Sequence, residues 1–171
     1  MKENRRPSGS LLRSEIRQER GFRSAEEEAF LNLQRTASVL MQSFAQLLKA
    51  SVKGGLTAPQ YNVLRILRGA HPDALSCGEI GERMVTADPD VTRLVDRLVR
   101  RDLVARTRDA RDRRVVKVTV TADGLQRLAQ LDAPVADWLR ERLGHLKGSD
   151  LDRLIRLLEA ARSAPERQTV G

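Results

Sequence analysis

The 171-residue chain has few of the residues that form cross-links, aromatic cores or membrane spans. Its single cysteine, Cys77, excludes an internal disulfide and fits a reducing compartment. Aromatic residues make up 3% of the sequence, so the core must be built from Leu, Val and Ala. No apolar run approaches the roughly 18 to 20 residues of a membrane span, and the N-terminus lacks an apolar secretion signal. We therefore expect a cytoplasmic protein with no membrane partner.

Residues that would support catalysis or a metal cofactor are also scarce. His71, Cys77 and His145 are the candidate soft metal ligands, but they are scattered along the chain, so we expect no metal and no other cofactor. No nucleophile elbow or phosphate-binding loop is present, which argues against an enzyme. Cys77 falls at a predicted helix N-terminus, so oxidant sensing by this thiol stays a minor alternative.

Basic residues, in contrast, are in excess. The chain has 31 Lys and Arg against 23 Asp and Glu, which gives a formal net charge of +8. Half of this excess falls between Asp88 and Lys117, where ten basic residues stand against six acidic ones. A polyanion is the partner that such a charge favours, although a solvated surface can carry the same charge without a partner.

Helical periodicity organises the first third of the chain. Residues 1–24 are polar and basic, and we expect a flexible arm with a short helix over residues 11–20. An apolar stripe then predicts a long helix over residues 25–50, ended by Lys53-Gly54-Gly55. Two capping boxes, Thr57-x-x-Gln60 and Ser76-x-x-Glu79, mark the next two helix starts.

The most informative segment begins at Asp88-Pro89, which predicts an N-cap followed by a proline at the first helical position. On this helix one face is apolar and the other is charged. The apolar positions are Val91, Leu94, Val95 and Leu98, and the charged ones are Arg93, Asp96, Arg97 and Arg100. With a short helix over residues 77–84 and the turn Val85-Thr86-Ala87 before it, the pattern is a helix-turn-helix.

Two β-branched runs follow, over residues 104–108 and 115–121, and their separation by residues 109–114 predicts a hairpin, or wing. Thr121 and Asp123 then open a helix that continues to about His145, and Pro134 should kink or interrupt it. Ser149-x-x-Asp152 opens a last leucine-rich helix.

The predicted fold class is therefore mainly α with a small β-hairpin wing (α+β), a winged helix-turn-helix with additional N- and C-terminal helices. We expect four kinds of segment in it. They are a flexible basic arm (1–24), a helical dimerisation region (25–55 and 121–163), a winged helix-turn-helix DNA-binding lobe (56–120) and a disordered tail (164–171).

Four sequence stretches carry a family pattern. They are Leu56 to Leu64, Pro89 to Leu98 with Asp102-Leu103-Val104, the wing Arg108-Asp109-Ala110-Arg111-Asp112-Arg113-Arg114, and Val118 to Gly124. Together they resemble the MarR family of bacterial transcriptional regulators. The resemblance covers roughly residues 25–163. It departs from the family in the longer N-terminal arm, and in Asp102, where a glycine often ends the recognition helix.

The resemblance implies a homodimer, in which the N- and C-terminal helices of two chains interlock. The apolar stripes agree, because a monomer would leave them in water. Dimer symmetry then predicts a roughly palindromic operator. The resemblance further implies release by a small aromatic or anionic effector, and it favours a repressor, although the sequence does not separate a repressor from an activator. Candidate pocket residues by position are Phe44, Tyr61, Leu64, Arg65 and Met84, although ordinary core is the role that the sequence favours for each.

On double-stranded DNA, we expect Thr92 and Arg93 at base edges in the major groove, since arginine can donate two hydrogen bonds to guanine. Asp90 either accepts from a cytosine amino group or favours the positive end of the helix dipole. Arg97 is expected at a phosphate or a base.

In the family pattern, Asp112 and Arg114 pair to shape the wing, which leaves Arg111 and Arg113 for the minor groove or the phosphates. Two other classes stay open from the sequence. One is a sequence-nonspecific architectural DNA-binding protein, and the other is a winged-helix module that docks other proteins.

Overall fold

A computed structural model describes residues 10–86, 90–108 and 115–163, and these residues form helices around one small sheet. The helices are α1 (Leu11–Glu15), α2 (Ala25–Ala50), α3 (Ala58–Ala70), α4 (Cys77–Glu82), α5 (Val91–Val99), α6 (Ala122–Leu143) and α7 (Gly148–Arg162). The strands are β1 (Leu75–Ser76), β2 (Val104–Arg108) and β3 (Val116–Val120). The predicted fold class, mainly α with a β-hairpin, is confirmed.

Local capping chemistry sets the helix starts in the first half of the chain. The Ser24 side chain accepts from the Glu27 N–H, and α2 covers the predicted residues 25–50. At α3 the predicted capping box is present, with Gln60 N to Thr57 Oγ1 at 3.3 Å and Thr57 N to Gln60 Oε1 at 3.1 Å. The second box, Ser76 with Glu79, opens α4 in the same way. Each box satisfies backbone donors that the first turn leaves unpaired.

The sheet is antiparallel in the order β1-β3-β2, so β3 is its central strand. Leu75 of β1 pairs with Val118, and Val104 of β2 pairs with Val120. These apolar side chains are buried, and they join the sheet to the helical core.

The core is aliphatic, as the composition predicts. Its fully buried members come from α2, α3, α4, α5, α6 and the segments between them: Leu48, Val63, Leu64, Leu67, Ile80, Val95, Leu98, Leu103, Val118, Leu128 and Leu131. In contrast, α7 has no buried residue in this single chain, and Ile155 and Leu157 are more than half exposed.

Two predicted helix starts differ from the structure. The recognition helix α5 starts at Val91 with Asp90 as its N-cap, so the predicted start at Asp88-Pro89 is wrong, and those two residues lie outside the described ranges. Asp90 takes the cap because its carboxylate accepts from the N–H of Arg93, three residues ahead. The last helix starts at Gly148, with Lys147 as its N-cap, rather than at Ser149.

Pro134 does not interrupt α6, which runs without a break from Ala122 to Leu143. A proline removes one helical hydrogen bond, but packing can hold the helix on both sides of it. Leu131 before it is fully buried and Val135 after it packs on the core.

The described part of the N-terminal segment, from residue 10 onward, contains a short helix with one buried side chain and one ion pair to α2. The helix predicted for residues 11–20 ends at Glu15, and Arg17 then adopts a positive φ of 52°. Leu12 is 3% exposed, and the Glu15 carboxylate lies 3.3 Å from Arg35 Nε on α2. Leu12 and Glu15 therefore attach α1 to the described fold, although Leu11 is exposed. Residues 1–9 and the predicted tail, 164–171, lie outside the described ranges.

Candidate nucleic-acid interface

Helix α5 has one buried face and one exposed face. Val91, Leu94, Val95 and Leu98 are each at most 9% exposed and belong to the core. Three residues predicted to contact DNA, Thr92, Arg93 and Arg97, are exposed on the other face, and Arg100 is exposed beside them. The helix is therefore anchored by its apolar side, and its basic side meets solvent.

The N-terminal end of this exposed face carries a close acid–base pair. Asp90 Oδ1 accepts a hydrogen bond from the Arg93 backbone N at 3.0 Å. Asp90 Oδ2 lies 2.9 Å from Arg93 Nε, so the same carboxylate contacts both the backbone and the side chain of Arg93. The sequence placed Asp90 either against a cytosine or at the helix dipole, and the structure places it at the N-cap.

The root of the wing is attached to α5 by a second pair. Arg106 of β2 forms an ion pair with Asp96 of α5, and its Nη2 donates to the Thr92 carbonyl at 3.4 Å. The sequence pattern predicts Asp96 only as one charge on the exposed face of the helix. The structure adds that it joins the recognition helix to the hairpin.

A third contact links the central strand to the first helix of the motif. Lys117 Nζ lies 2.9 Å from Glu79 Oε2, and that same oxygen accepts from the Ser76 backbone N at 2.7 Å. The hydrogen bond from Ser76 and the neighbouring ammonium of Lys117 lower the pKa of Glu79 to about 2. Glu79 therefore has two roles: it closes the capping box of α4, and it binds Lys117 of β3. The sequence predicts the first role and not the second.

The predicted tip of the wing lies outside the described residues. This holds for Arg111 and Arg113, predicted to contact DNA, and for Asp112 and Arg114, predicted to shape the hairpin. The last described pair of the hairpin is Arg108 with Val116.

The five candidate pocket residues lie near one another but in different environments. Leu64 is fully buried in the core. Phe44 and Tyr61 meet edge to face, with ring centroids 5.5 Å apart, and Phe44 also lies 5.1 Å from the ring of Trp138. Trp138 Nε1 donates to Ser43 Oγ at 2.9 Å. An aromatic cluster thus joins α2, α3 and α6.

Arg65 and Met84 are connected through Asn62, which is 8% exposed. Arg65 Nη2 donates to Asn62 Oδ1 at 3.0 Å, and Asn62 Nδ2 lies 3.4 Å from Met84 Sδ. An open groove of about 500 Å³ lies elsewhere, between Met41 and Lys49 of α2 and Pro59 of α3. None of the five predicted pocket residues lines it.

Other site chemistries find no support in the described part of the chain. Residues 10–86, 90–108 and 115–163 contain no group of three His, Cys, Asp or Glu side chains placed to hold a metal ion. Cys77 is a free, partly exposed thiol. Within the same ranges, every helix is too short or too polar to cross a bilayer.

The elements around this face form a winged helix-turn-helix. The short helix α4 precedes α5, which has a buried apolar face and an exposed basic face, and the antiparallel hairpin of β2 and β3 follows.

Comparison with known proteins identifies the family. The MarR family model matches residues 54–115. A MarR transcription factor from Planctomyces limnophilus is 41% identical, with 81% of this chain and 98% of that chain covered and a TM-score of 0.62. The chain belongs to the MarR family of transcriptional regulators.

Two further relatives carry functional descriptions. The transcriptional repressor MdtR of Bacillus subtilis is 32% identical over 99 residues, which cover 57% of this chain and 63% of MdtR. The match therefore spans somewhat less than two thirds of that repressor. Bordetella bronchiseptica BpsR, whose structure concerns regulation of its DNA binding by 6-hydroxynicotinic acid, is 26% identical, with a TM-score of 0.72 and coverage of 85% of this chain and 100% of BpsR.

Proposed function

We propose that this regulator binds double-stranded DNA by placing α5 in the major groove and its wing against the backbone or the minor groove. The observation that carries the proposal is the exposed basic face of α5, backed by a fully packed apolar face. A groove-binding helix needs both, because one side must be held by the protein while the other reaches base edges.

Within this interface we assign separate tasks to two groups of residues. Thr92 and Arg93, near the start of α5, read bases, and Arg97 contacts a phosphate or a base. Arg111 and Arg113 of the wing supply affinity that does not depend on sequence, with Asp112 and Arg114 shaping the hairpin. Phosphate contacts strengthen binding to every duplex, whereas base-edge contacts discriminate among them.

We further propose that the functional unit is a homodimer built from α2, α6 and α7. The support is apolar surface left in water by one chain, at Phe30 and Leu33 of α2, Leu139 of α6, and Ile155 and Leu157 of α7. A leucine-rich helix without a single buried residue needs a partner surface. Two-fold symmetry then predicts a palindromic operator with half-sites roughly 34–36 Å apart. Analytical ultracentrifugation at micromolar concentration tests this, and a monomer would contradict it.

Repression, relieved by a small aromatic or anionic effector, is the regulatory mode we propose. MdtR is a repressor, and BpsR is a protein whose DNA binding is regulated by 6-hydroxynicotinic acid. An effector acts only through different affinities for the DNA-binding and released states. A thermal-shift screen of aromatic acids, followed by DNA titration with each hit, identifies such a ligand.

A gel-shift titration with the upstream DNA of the gene and a scrambled duplex tests the function. Preference for the upstream DNA supports the regulator, equal binding supports an architectural protein, and no binding supports a docking module. Arg113→Ala should weaken binding to both duplexes and flatten its salt dependence. Arg93→Ala should also relax preference at one base pair. Unchanged binding by Arg113→Ala at matched salt would refute the wing assignment.

A further inference from the structure

The contact between Asp90 and Arg93 has a geometry that capping alone does not need. Capping uses one oxygen, Oδ1, which accepts from the Arg93 backbone N at 3.0 Å. The second oxygen, Oδ2, lies 2.9 Å from Nε of the Arg93 side chain. The side chain of Arg93 is 79% exposed and that of Asp90 is 42% exposed, so this pair stands at the solvent-facing start of the recognition helix.

The choice of nitrogen matters for what Arg93 can still bind. The pair is made through Nε, and among the described residues neither terminal Nη donates a hydrogen bond to the protein. Recognition of a guanine needs two N–H donors, for O6 and N7. A guanidinium has five donors in a fixed plane, so one edge can rest on Asp90 while another faces a base.

We infer that Asp90 is a positioning residue for base recognition, which holds the Arg93 guanidinium in the orientation that presents its terminal nitrogens to a guanine. This inference rests on the proposed function, since it requires that α5 reads DNA. Free arginine side chains lose much rotamer freedom on binding, and a side chain that is already held loses less. An exposed ion pair contributes little to folding, so its effect should appear in recognition rather than in stability.

The two tasks of Asp90 can be separated by one substitution. Asparagine is as good an N-cap as aspartate, so Asp90→Asn keeps the acceptor for the Arg93 backbone and removes the charge that holds the guanidinium. Losing a carboxylate beside a polyanion should also raise affinity for every duplex. We therefore expect discrimination between base pairs to fall while affinity for every duplex rises. A folding defect would instead lower both.

Asp102→Asn is the matched control, because it removes the same charge just beyond the other end of α5. Asp102 has a φ of 55°, a conformation that asparagine tolerates well. Both variants are compared with the wild type by fluorescence anisotropy at one salt concentration. The duplexes are the operator, a set with each base pair of a half-site exchanged in turn, and a scrambled sequence.

A bidentate arginine–guanine contact discriminates by roughly 5- to 150-fold. We expect Asp90→Asn to lose about three- to tenfold of the preference at the one base pair where Arg93→Ala also loses it, with scrambled DNA bound equally or more tightly. Asp102→Asn should keep the full preference. In an Arg93→Ala background, Asp90→Asn should have no further effect on that preference.

Full discrimination in Asp90→Asn, a loss spread over all base pairs, or a loss that persists in the Arg93→Ala background would each overturn the inference. Thermal unfolding of every variant is measured in parallel, and a lowered midpoint for Asp90→Asn would assign its effect to folding instead. If the wild type shows no operator preference, the proposed function fails. If preference is present and Asp90→Asn keeps it, only the role of Asp90 fails.

Discussion

Replacing Gly124 with alanine should destabilise the protein, although alanine is the better helix former. Gly124 is the third residue of α6, where its N–H donates to the Thr121 cap at 3.1 Å. A Cβ at this position would lie 2.2 Å from the Leu103 carbonyl oxygen and 2.8 Å from Cγ2 of Val120. The Leu103 carbonyl is backbone and already accepts from Thr121 N, so it cannot rotate away as a side chain would.

The magnitude follows from two opposing terms. Relieving the contact with the Leu103 oxygen requires a displacement of about 1 Å, and forced backbone shifts in packed regions cost about 1–3 kcal/mol. The higher helix propensity of alanine returns at most about 1 kcal/mol. Because the obstructing atom is backbone, we take the upper half of that cost, about 2–3 kcal/mol, and expect Gly124→Ala to lower the free energy of unfolding by about 1–2 kcal/mol.

Gly69→Ala in α3 is the control, because a Cβ there meets no atom within 4 Å. Only the propensity term acts at this position, so the variant should gain up to about 1 kcal/mol. Urea unfolding followed by circular dichroism, at one fixed protomer concentration, measures both. A Gly124→Ala protein as stable as the wild type, with an unchanged slope in urea, would show that the close approach of α6 to Leu103 is not as described.

Three other changes test the contacts around the motif and the exposed helix. Because its folded pKa of about 2 lies below the ordinary 4.5, Glu79 stabilises the fold above pH 4.5 and loses this effect as the pH falls toward 2. Glu79→Gln should therefore destabilise more at pH 7 than at pH 2.5, where part of the stabilisation remains because pH 2.5 is still above the folded pKa. An equal loss at both pH values in urea unfolding would contradict the pairing. Arg106→Ala and Asp96→Asn should both weaken operator binding if their pair positions the wing, whereas only Arg106→Ala weakens it if Arg106 merely contacts DNA. Leu157→Glu should yield monomers in ultracentrifugation while Arg156→Glu stays dimeric, and a dimeric Leu157→Glu would exclude α7 from the interface.

The sequence predicted best those features that depend on residues close together in the chain. Helix α2 and the capping boxes at Thr57 and Ser76 were located correctly because a cap and its partner are three residues apart. The same local rule also misled. Asp88 before a proline and Asp90 before Val91 are both acceptable N-caps, and only the folded backbone shows that Asp90 is used.

Features that depend on the order of strands were beyond the local pattern. Lys117 reaches Glu79 across 38 positions because β3 lies between β1 and β2. Strand β1 has only two residues, too few for a period. For the site, the sequence likewise predicted the exposed basic face of α5 but not its ion pairs. Nothing in the residue spacing indicates that Arg106 contacts Asp96, or that Asp90 contacts Nε of Arg93.

The pairing of Leu75 with Val118 brings together two points of the chain that flank the whole recognition unit. The two ends of the segment 76–117 therefore lie side by side, because Ser76 pairs with Lys117. A segment with adjacent ends can be replaced without changing the connections of α2, α6 and α7, provided that the replacement fills the same core, because Ile80, Val95 and Leu98 pack with Leu48 and Leu128. We therefore expect a chimaera joined at β1 and β3 to keep the helices outside this segment and to take the operator preference of the protein that donates residues 76–117.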